Sequence, residues 1–269
     1  MTKKVWPFIF MLCKFKRYYY TLRYLKPVQF YGRLWFRMYR PKPELRPAIA
    51  LRSVSGQWIA PVEKTPSLVE PLRFRFLGKE QVLECPSDWN HPGWEKIWLY
   101  NLHYFDDLNA EGAAGRTEWH AELIERWVEE NPPGFGNGWE PYPTSLRIVN
   151  WVKWVFAGND LSEKTVESLA VQTRLLEKRI EYHLLGNHLL ANAKALVFAG
   201  LFFKGEEAGR WLKKGMQIFL SQLPEQVLPD GGHFERSPMY HEIILEDLLD
   251  HRLAFGFRGR SPSHGRGHR

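Results

Sequence analysis

The stretch Leu185-Gly186-Asn187-His188-Leu189-Leu190-Ala191-Asn192 sets three polar side chains among residues that otherwise read as a buried helix. Gly186 breaks the helical run before it, so Asn187 and His188 fall where the next helix starts. Asn is a favoured N-cap because its side chain accepts from free backbone N–H groups. A second stretch runs from Asp230-Gly231-Gly232-His233-Phe234-Glu235 through Arg236-Ser237-Pro238-Met239-Tyr240-His241. It reads as a loop leading into a helix, with Asp-Gly and Gly-Gly as turn signals. Asn, His and Tyr together suit proton abstraction beside a carboxylate. The C5 proton of a uronic acid is acidic because it adjoins the carboxylate, and an Asn amide that hydrogen-bonds the carboxylate lowers the opposing charge. A Tyr phenol can take that proton and return one to the leaving glycosidic oxygen. Positioned proton transfer of this kind contributes about 10²–10⁴-fold.

Other chemistries find less support. An Asn-His pair at a helix start is by itself more often a cap, and it gains meaning only with Tyr240 and its loop. No Asp/Glu pair stands out for glycoside hydrolysis, which needs two facing carboxylates. There is no Gly-rich phosphate cradle, and His183 and His188 do not form the HExxH zinc pattern. No metal and no cofactor is expected.

The elements that must position these residues are helical. Thr117–Asn131 reads as a helix with Trp119, Leu123, Ile124, Trp127 and Val128 as its apolar stripe and Pro132-Pro133 as its stop. Thr144–Ala157, Leu161–Leu184, Asn187–Phe203, Glu206–Leu223 and Pro238–Phe255 follow with short turns between them. No βαβ alternation occurs, so the fold class is all-α. Upstream, residues 41–90 are Pro-rich with strand-like runs such as Arg73-Phe74-Arg75-Phe76-Leu77, giving one or two strands. Four segments result: a basic aromatic N-terminal helical segment (1–46), a wrapping segment with short strands (47–94), the helical domain (95–255) and a disordered basic tail (256–269). Helical spacing in the first segment runs from Tyr18 to Tyr39.

The net charge of +7 is unevenly spread. Residues 1–46 hold twelve Lys and Arg against one Glu and the last 14 residues hold four Arg and no acid, leaving the middle at −8. That distribution excludes a uniformly basic nucleic-acid-binding domain. The basic helical segment has two readings, contact with a membrane surface or polyanion, and packing with its charges solvated. Aromatic residues make up 15% of the chain, with 12 Trp, enough to line a sugar cleft as well as a core. The two cysteines, Cys13 and Cys85, form no metal-spaced cluster. Val5–Cys13 is a short apolar run after Lys3 and Lys4, but Lys14, Lys16 and Arg17 follow it directly, so no cleaved signal is expected. No run approaches the roughly 20 apolar residues of a membrane span.

The sequence resembles the heparinase II/III family, which includes related alginate lyases. The resemblance rests on Gly186-Asn187-His188-Leu189-Leu190-Ala191-Asn192 and on Asp230-Gly231 through Glu235-Arg236-Ser237-Pro238-Met239-Tyr240-His241. Upstream it adds Trp98-Leu99-Tyr100-Asn101-Leu102-His103-Tyr104-Phe105, Trp139-Glu140-Pro141-Tyr142-Pro143 and Arg147-Ile148-Val149-Asn150-Trp151. It implies an (α/α) toroid of helical hairpins, here incomplete, and lyase action on an acidic, uronate-containing polysaccharide by β-elimination. By the same resemblance Tyr240 is base and acid, Asn187 neutralises the carboxylate and His188 assists. His103, Trp139, Arg147, Glu235, Arg236 and His241 are candidates for substrate binding, since an Arg fork suits a uronate or sulfate. Glu235 and Arg236 read equally well as an ion pair holding the loop. The family continues into a C-terminal β-sandwich, so residues 256–269 read as a truncated or frame-shifted end. A non-catalytic glycan-binding fragment is therefore the competing expectation. The substrate class suggests a periplasmic or cell-envelope location.

Overall fold

Pro27 divides the basic stretch whose spacing suggests one helix over Tyr18–Tyr39. In the computed structural model, which describes residues 5–53 and 59–258, α1 spans Val5–Leu22 and α2 spans Pro27–Met38. Proline has no N–H for the turn before it but fits the first turn of a new helix. The Gln29 side chain accepts from the Lys26 N–H at 2.9 Å and secures that start. The described residues of Met1–Arg40 form one unit with Tyr182–Leu184, and those of Pro41–Glu181 form a second with Leu185–Arg269. In the first unit α2 sits against His183: a Cβ on Gly32 would lie 3.0 Å from the His183 Cβ, and the Phe36 ring centroid is 4.4 Å from the imidazole.

The second unit begins with a small antiparallel sheet in the order β1 (Leu68–Glu70), β2 (Arg73–Phe76), β3 (Lys79–Val82). This is one strand more than the alternation suggests. Phe74 and Phe76 share the inner face of β2, their rings 5.8 Å apart, and Phe76 meets Trp98 edge-on. Leu77 and Gly78 join β2 to β3 with φ of 53° and 73°, the two positive values that match the twist of a tight hairpin.

One buried carboxylate fastens this sheet to the helices. Asp107 Oδ1 accepts from the Ser67 and Leu68 N–H groups at 2.6 and 2.9 Å, and Oδ2 accepts from Arg116 Nε at 2.9 Å and lies 2.8 Å from His120 Nε2. Burial alone would raise its pKa, but these donors outweigh burial and hold it down to about 2. The folded value lies below the ordinary one, so the stabilisation is present above about pH 4 and is lost as pH falls toward about 2. A shift of this size corresponds to about 2 kcal/mol. Asp107→Asn is expected to lower the thermal midpoint at neutral pH and to flatten its fall between about pH 4 and 2. Melts of the two proteins across that range check this, and parallel curves would contradict it.

The helices follow: α3 (Lys96–Tyr104), α4 (Thr117–Glu130), α5 (Pro141–Phe156), α6 (Glu163–Lys178), α7 (Gly186–Phe202), α8 (Glu206–Gln226) and α9 (Pro238–Arg258). Ser162 caps α6 by accepting from the Thr165 N–H at 3.2 Å. α6 ends at Lys178 and not near Leu184, because Arg179 leaves helical geometry at φ −119° and ψ 26°. α9 runs to Arg258, so the first residues of the basic tail are helical. The rest of the tail, 259–269, lies outside the described residues, as do 1–4 and 54–58.

α7 is the axis of this unit. Every residue from Leu189 to Phe202 is buried, Asn192 and Lys194 included, and the helix packs on α5, α6, α8 and α9. α8 approaches so closely that a Cβ on Gly215 would lie 2.7 Å from the Ala193 carbonyl oxygen. The aromatic richness goes largely into the core, since Trp89, Trp98, Trp127, Trp151 and Trp211 are fully buried. The architecture is all-α with a small sheet on the N-terminal side, as an incomplete (α/α) toroid requires.

Candidate active site

The start of α7 is built by an unusual backbone and not by a side-chain cap. Leu185 precedes the helix at φ 63° and ψ −156°, and Gly186 follows at φ 55°. A Leu at positive φ is strained and persists only where its surroundings enforce it. Asn187 therefore lies inside the first turn, and no side-chain cap bond forms there. Its amide instead donates to Tyr142 Oη at 3.5 Å, the long end of a hydrogen bond.

Tyr142 stands on the first turn of α5, which Pro141 opens. Its ring lies 4.4 Å from the His188 imidazole and meets Tyr104 edge-on at 5.9 Å. Burial first, then the Asp247 charge, push its phenol up to about 12 despite the Asn187 bond. Its hydroxyl oxygen is the acceptor that faces the Asn187 amide.

His188 is partly exposed and is oriented by a buried carboxylate: its Nδ1 lies 3.2 Å from Glu181 Oε2. Asn192 holds that carboxylate from one turn further along α7. Its amide donates to Glu181 Oε2 at 3.1 Å and to Ser145 Oγ at 3.0 Å, while its carbonyl accepts from the Glu181 N–H at 2.8 Å. With Nδ1 facing Glu181, Nε2 is the ring nitrogen not engaged by that carboxylate.

Tyr240 is the third residue of α9, and the loop before it is tightly pinned. The Leu228 N–H donates to Gly232 O at 2.8 Å, the Phe234 N–H to Gln226 O at 3.0 Å and the Gly232 N–H to Asp230 Oδ1 at 2.9 Å. Arg236 sits at φ 53°, its N–H donating to His233 O at 2.9 Å. This loop runs beside the start of α7. Gln226 Nε2 donates to Gly186 O at 3.1 Å, and Glu235 Oε1 lies 3.9 Å from where a Gly186 Cβ would be. Among the described residues, however, no hydrogen bond or ring contact joins Tyr240 to Asn187 or His188. The phenol ring instead meets His233 at 5.8 Å, and His233 Nε2 is buried without a partner.

Glu235, Arg236 and His241 are exposed, and no ion pair forms between Glu235 and Arg236. His103, Trp139 and Arg147 are placed differently from a cleft lining, because all three are buried. Trp127 Nε1 donates to His103 Nδ1 at 3.0 Å, so the proton on Nε2 goes to Trp89 O at 3.0 Å. Burial, with Arg147 nearby, takes the His103 pKa down to about 3. Trp139 Nε1 donates to Asn131 O at 3.2 Å. The Arg147 guanidinium donates to Gln172 Oε1, His103 O and Gly138 O and lies 3.7 Å over the Trp127 ring. A guanidinium filled this way has no fork free for a uronate. The three residues brace the chain just before α5, and so hold Tyr142.

Three groups at the site escaped sequence reasoning: Tyr142, Glu181 and Asn192. Tyr142 was visible two residues after Glu140 in Trp139-Glu140-Pro141-Tyr142-Pro143, and Asn192 closes the Asn187 motif. Glu181 carries no signal, since it reads as one more charge near a helix end. A groove of about 460 Å³ lies elsewhere, among Pro61, Glu63, Asn109, Thr117, Trp154 and Asn159.

The helices carrying the site are locked together by buried ions. Lys194 of α7 donates to Asp247 of α9 at 2.8 Å and pairs with Asp250, which Lys153 of α5 also meets at 2.6 Å. Lys64 bridges Asp106 at 3.5 Å and Glu246 at 3.2 Å. Burial lowers the Lys64 pKa, but Asp106 and Glu246 outweigh it and raise the group to about 12. Lys194 is likewise raised against its burial by Asp247 and Asp250.

The all-α array thus sets Asn187 and His188 at one helix start with the Tyr240 loop beside them at Gly186. The profile described as Heparinase II/III N-terminus matches residues 116–256, and the chain belongs to the heparinase II/III family. It is similar to a heparin-sulfate lyase of Bacteroides stercoris, 38% identical over 85 residues, which are 30% of this chain and 13% of that protein. A heparin-sulfate lyase of Bacteroides thetaiotaomicron is 30% identical over 142 residues, 48% of this chain and 20% of that protein. One from Pedobacter heparinus is 35% identical over 65 residues, 24% and 10%. The aligned parts thus span a fifth or less of the relatives' lengths. No solved structure matches the chain.

Proposed function

We propose that the chain cleaves a uronate-containing acidic polysaccharide by β-elimination at the start of α7. Asn187 hydrogen-bonds the uronate carboxylate and lowers the charge that opposes proton loss. The Tyr240 oxygen takes the C5 proton, the C4–C5 double bond forms as the C4–O bond breaks, and the leaving oxygen receives a proton from Tyr240. His188, held at Nδ1 by Glu181, meets the sugar through Nε2. Glu235, Arg236 and His241, exposed on the Tyr240 loop, contact neighbouring sugars or their sulfates. The observation that carries this reading is the paired anchoring of Asn187 on Tyr142 and His188 on Glu181, with the Tyr240 loop alongside at Gly186. The heparin-sulfate lyase relatives support the reaction class.

Incubating the chain with a panel of acidic polysaccharides, and following the far-ultraviolet absorbance of the unsaturated uronate, tests this and names the substrate. New reducing ends without that absorbance would mean hydrolysis. Binding without turnover would make the chain a glycan-binding fragment.

Tyr142 has a positioning role in this scheme. Tyr142→Phe keeps the ring against His188 but removes the oxygen that orients Asn187. One modest hydrogen bond is lost, so turnover is expected to fall about three- to tenfold with KM little changed. A change confined to thermal stability would make Tyr142 a packing residue only.

A further inference from the structure

The helices before Arg40 carry a surface that the lyase chemistry does not use. From Cys13 to Arg40 the sequence holds eight Lys and Arg and no Asp or Glu. In α2, Val28, Gly32 and Phe36 recur every fourth residue on the face that meets His183. The opposite face repeats with the same spacing and is apolar: Phe30, Leu34 and Met38 are 47%, 62% and 73% exposed. Arg33 and Arg37, also four apart, run along one edge of that stripe. α1 repeats the composition, with exposed Phe15, Tyr18, Tyr19 and Tyr20 between Lys14, Lys16 and Arg17. Among the described residues no helix is long and apolar enough to cross a membrane.

We propose that α2 lies in the headgroup layer of an anionic lipid bilayer. Phe30, Leu34 and Met38 enter the acyl boundary, and Arg33 and Arg37 meet lipid phosphates. A short amphipathic helix with aromatic and aliphatic residues on one face and arginines on its edge is built for that plane. Tyr side chains are favoured at the same depth, where the ring is apolar and the hydroxyl wet. An acidic polysaccharide complements the charge equally well but offers nothing to cover Leu34 and Met38. The lipid surface satisfies both halves of the face.

Sedimentation of the full chain with vesicles tests this. Vesicles of equimolar phosphatidylglycerol and phosphatidylcholine are expected to carry the protein down at low salt, and pure phosphatidylcholine vesicles are not. Each charge near an anionic surface contributes to binding, so Arg33→Glu with Arg37→Glu is expected to weaken partitioning at least about tenfold. Leu34→Ser with Met38→Ser, which leaves the charge unchanged, should weaken it as much, with an unchanged thermal melt because both side chains are exposed. Failure to sediment with the anionic vesicles overturns the proposal. So does sedimentation that the neutral change Leu34→Ser with Met38→Ser leaves intact, which is adsorption by charge alone. Retention on immobilised heparin through Arg33 and Arg37 without vesicle binding assigns the face to a polyanion. A dimer in solution that Leu34→Asp dissociates, again without vesicle binding, assigns it to a second copy.

Discussion

Tyr240→Phe is expected to lower turnover on a uronate polysaccharide by at least about 10²-fold while leaving substrate affinity and the thermal melt nearly unchanged. Phe keeps the ring that lies 5.8 Å from His233 and removes only the hydroxyl. In the proposed scheme that oxygen, as phenolate, takes the C5 proton and then passes it to the leaving oxygen, so neither proton transfer survives its loss. Tyr142, the phenol that accepts from the Asn187 amide, is untouched by this substitution, so the comparison isolates the Tyr240 oxygen. The neighbours of Tyr240 also account for its placement: the loop is closed by backbone bonds from Leu228 to Gly232 and from Phe234 to Gln226, independently of the hydroxyl. The check is kcat and KM for both proteins on one preparation of polysaccharide. Turnover within a few-fold of the parent would make Tyr240 a packing residue and move the base elsewhere.

Lys194→Met is expected to destabilise the fold by about 3–5 kcal/mol, the range for removing one partner of a buried ion pair. Lys194 is buried, meets Asp247 at 2.8 Å and also pairs with Asp250. Without it, Asp247 loses its cation, while Asp250 keeps Lys153 and Glu246 keeps Lys64 and Lys153. The site should loosen too, since this pairing holds α9, with Tyr240 at its start, against α7, with Asn187 at its own. Adding Asp247→Leu removes the charge that was stranded, and the double variant should regain part of the loss. Chemical denaturation of the parent, the single and the double variant measures this. A single variant within about 1 kcal/mol of the parent would mean that the cluster is solvated, as ion pairs at a surface are.

Much of this was legible in sequence where a local rule acts alone. The Arg-Phe alternation gave β2, Pro132-Pro133 closed α4, and the Asn187 and Tyr240 motifs named the two chain segments that meet at Gly186. The misreadings share a cause, which is pairing over long distance. Asn187 has the sequence of an N-cap, yet the turn at Leu185 and Gly186 carries it into the helix, where its partner is Tyr142, 45 residues earlier. Arg147 reads as a free fork for an anion because its three acceptors, on Gln172, His103 and Gly138, are invisible to helical periodicity. Lys153 and Lys194 carry no local sign of pairing, because their carboxylate partners come from α9. Pro27 is a local helix-start signal, masked by an apolar period that runs across it.

Breakage of a glycosidic linkage by elimination is measured most directly by the mass balance of its products. A defined uronate oligosaccharide is incubated with the chain, and both fragments are weighed by mass spectrometry. Elimination adds nothing, so the two product masses should sum to that of the substrate, with the unsaturated uronate on one fragment. A sum greater by one water would show hydrolysis. Intact oligosaccharide, bound but never cleaved, would equally contradict the account.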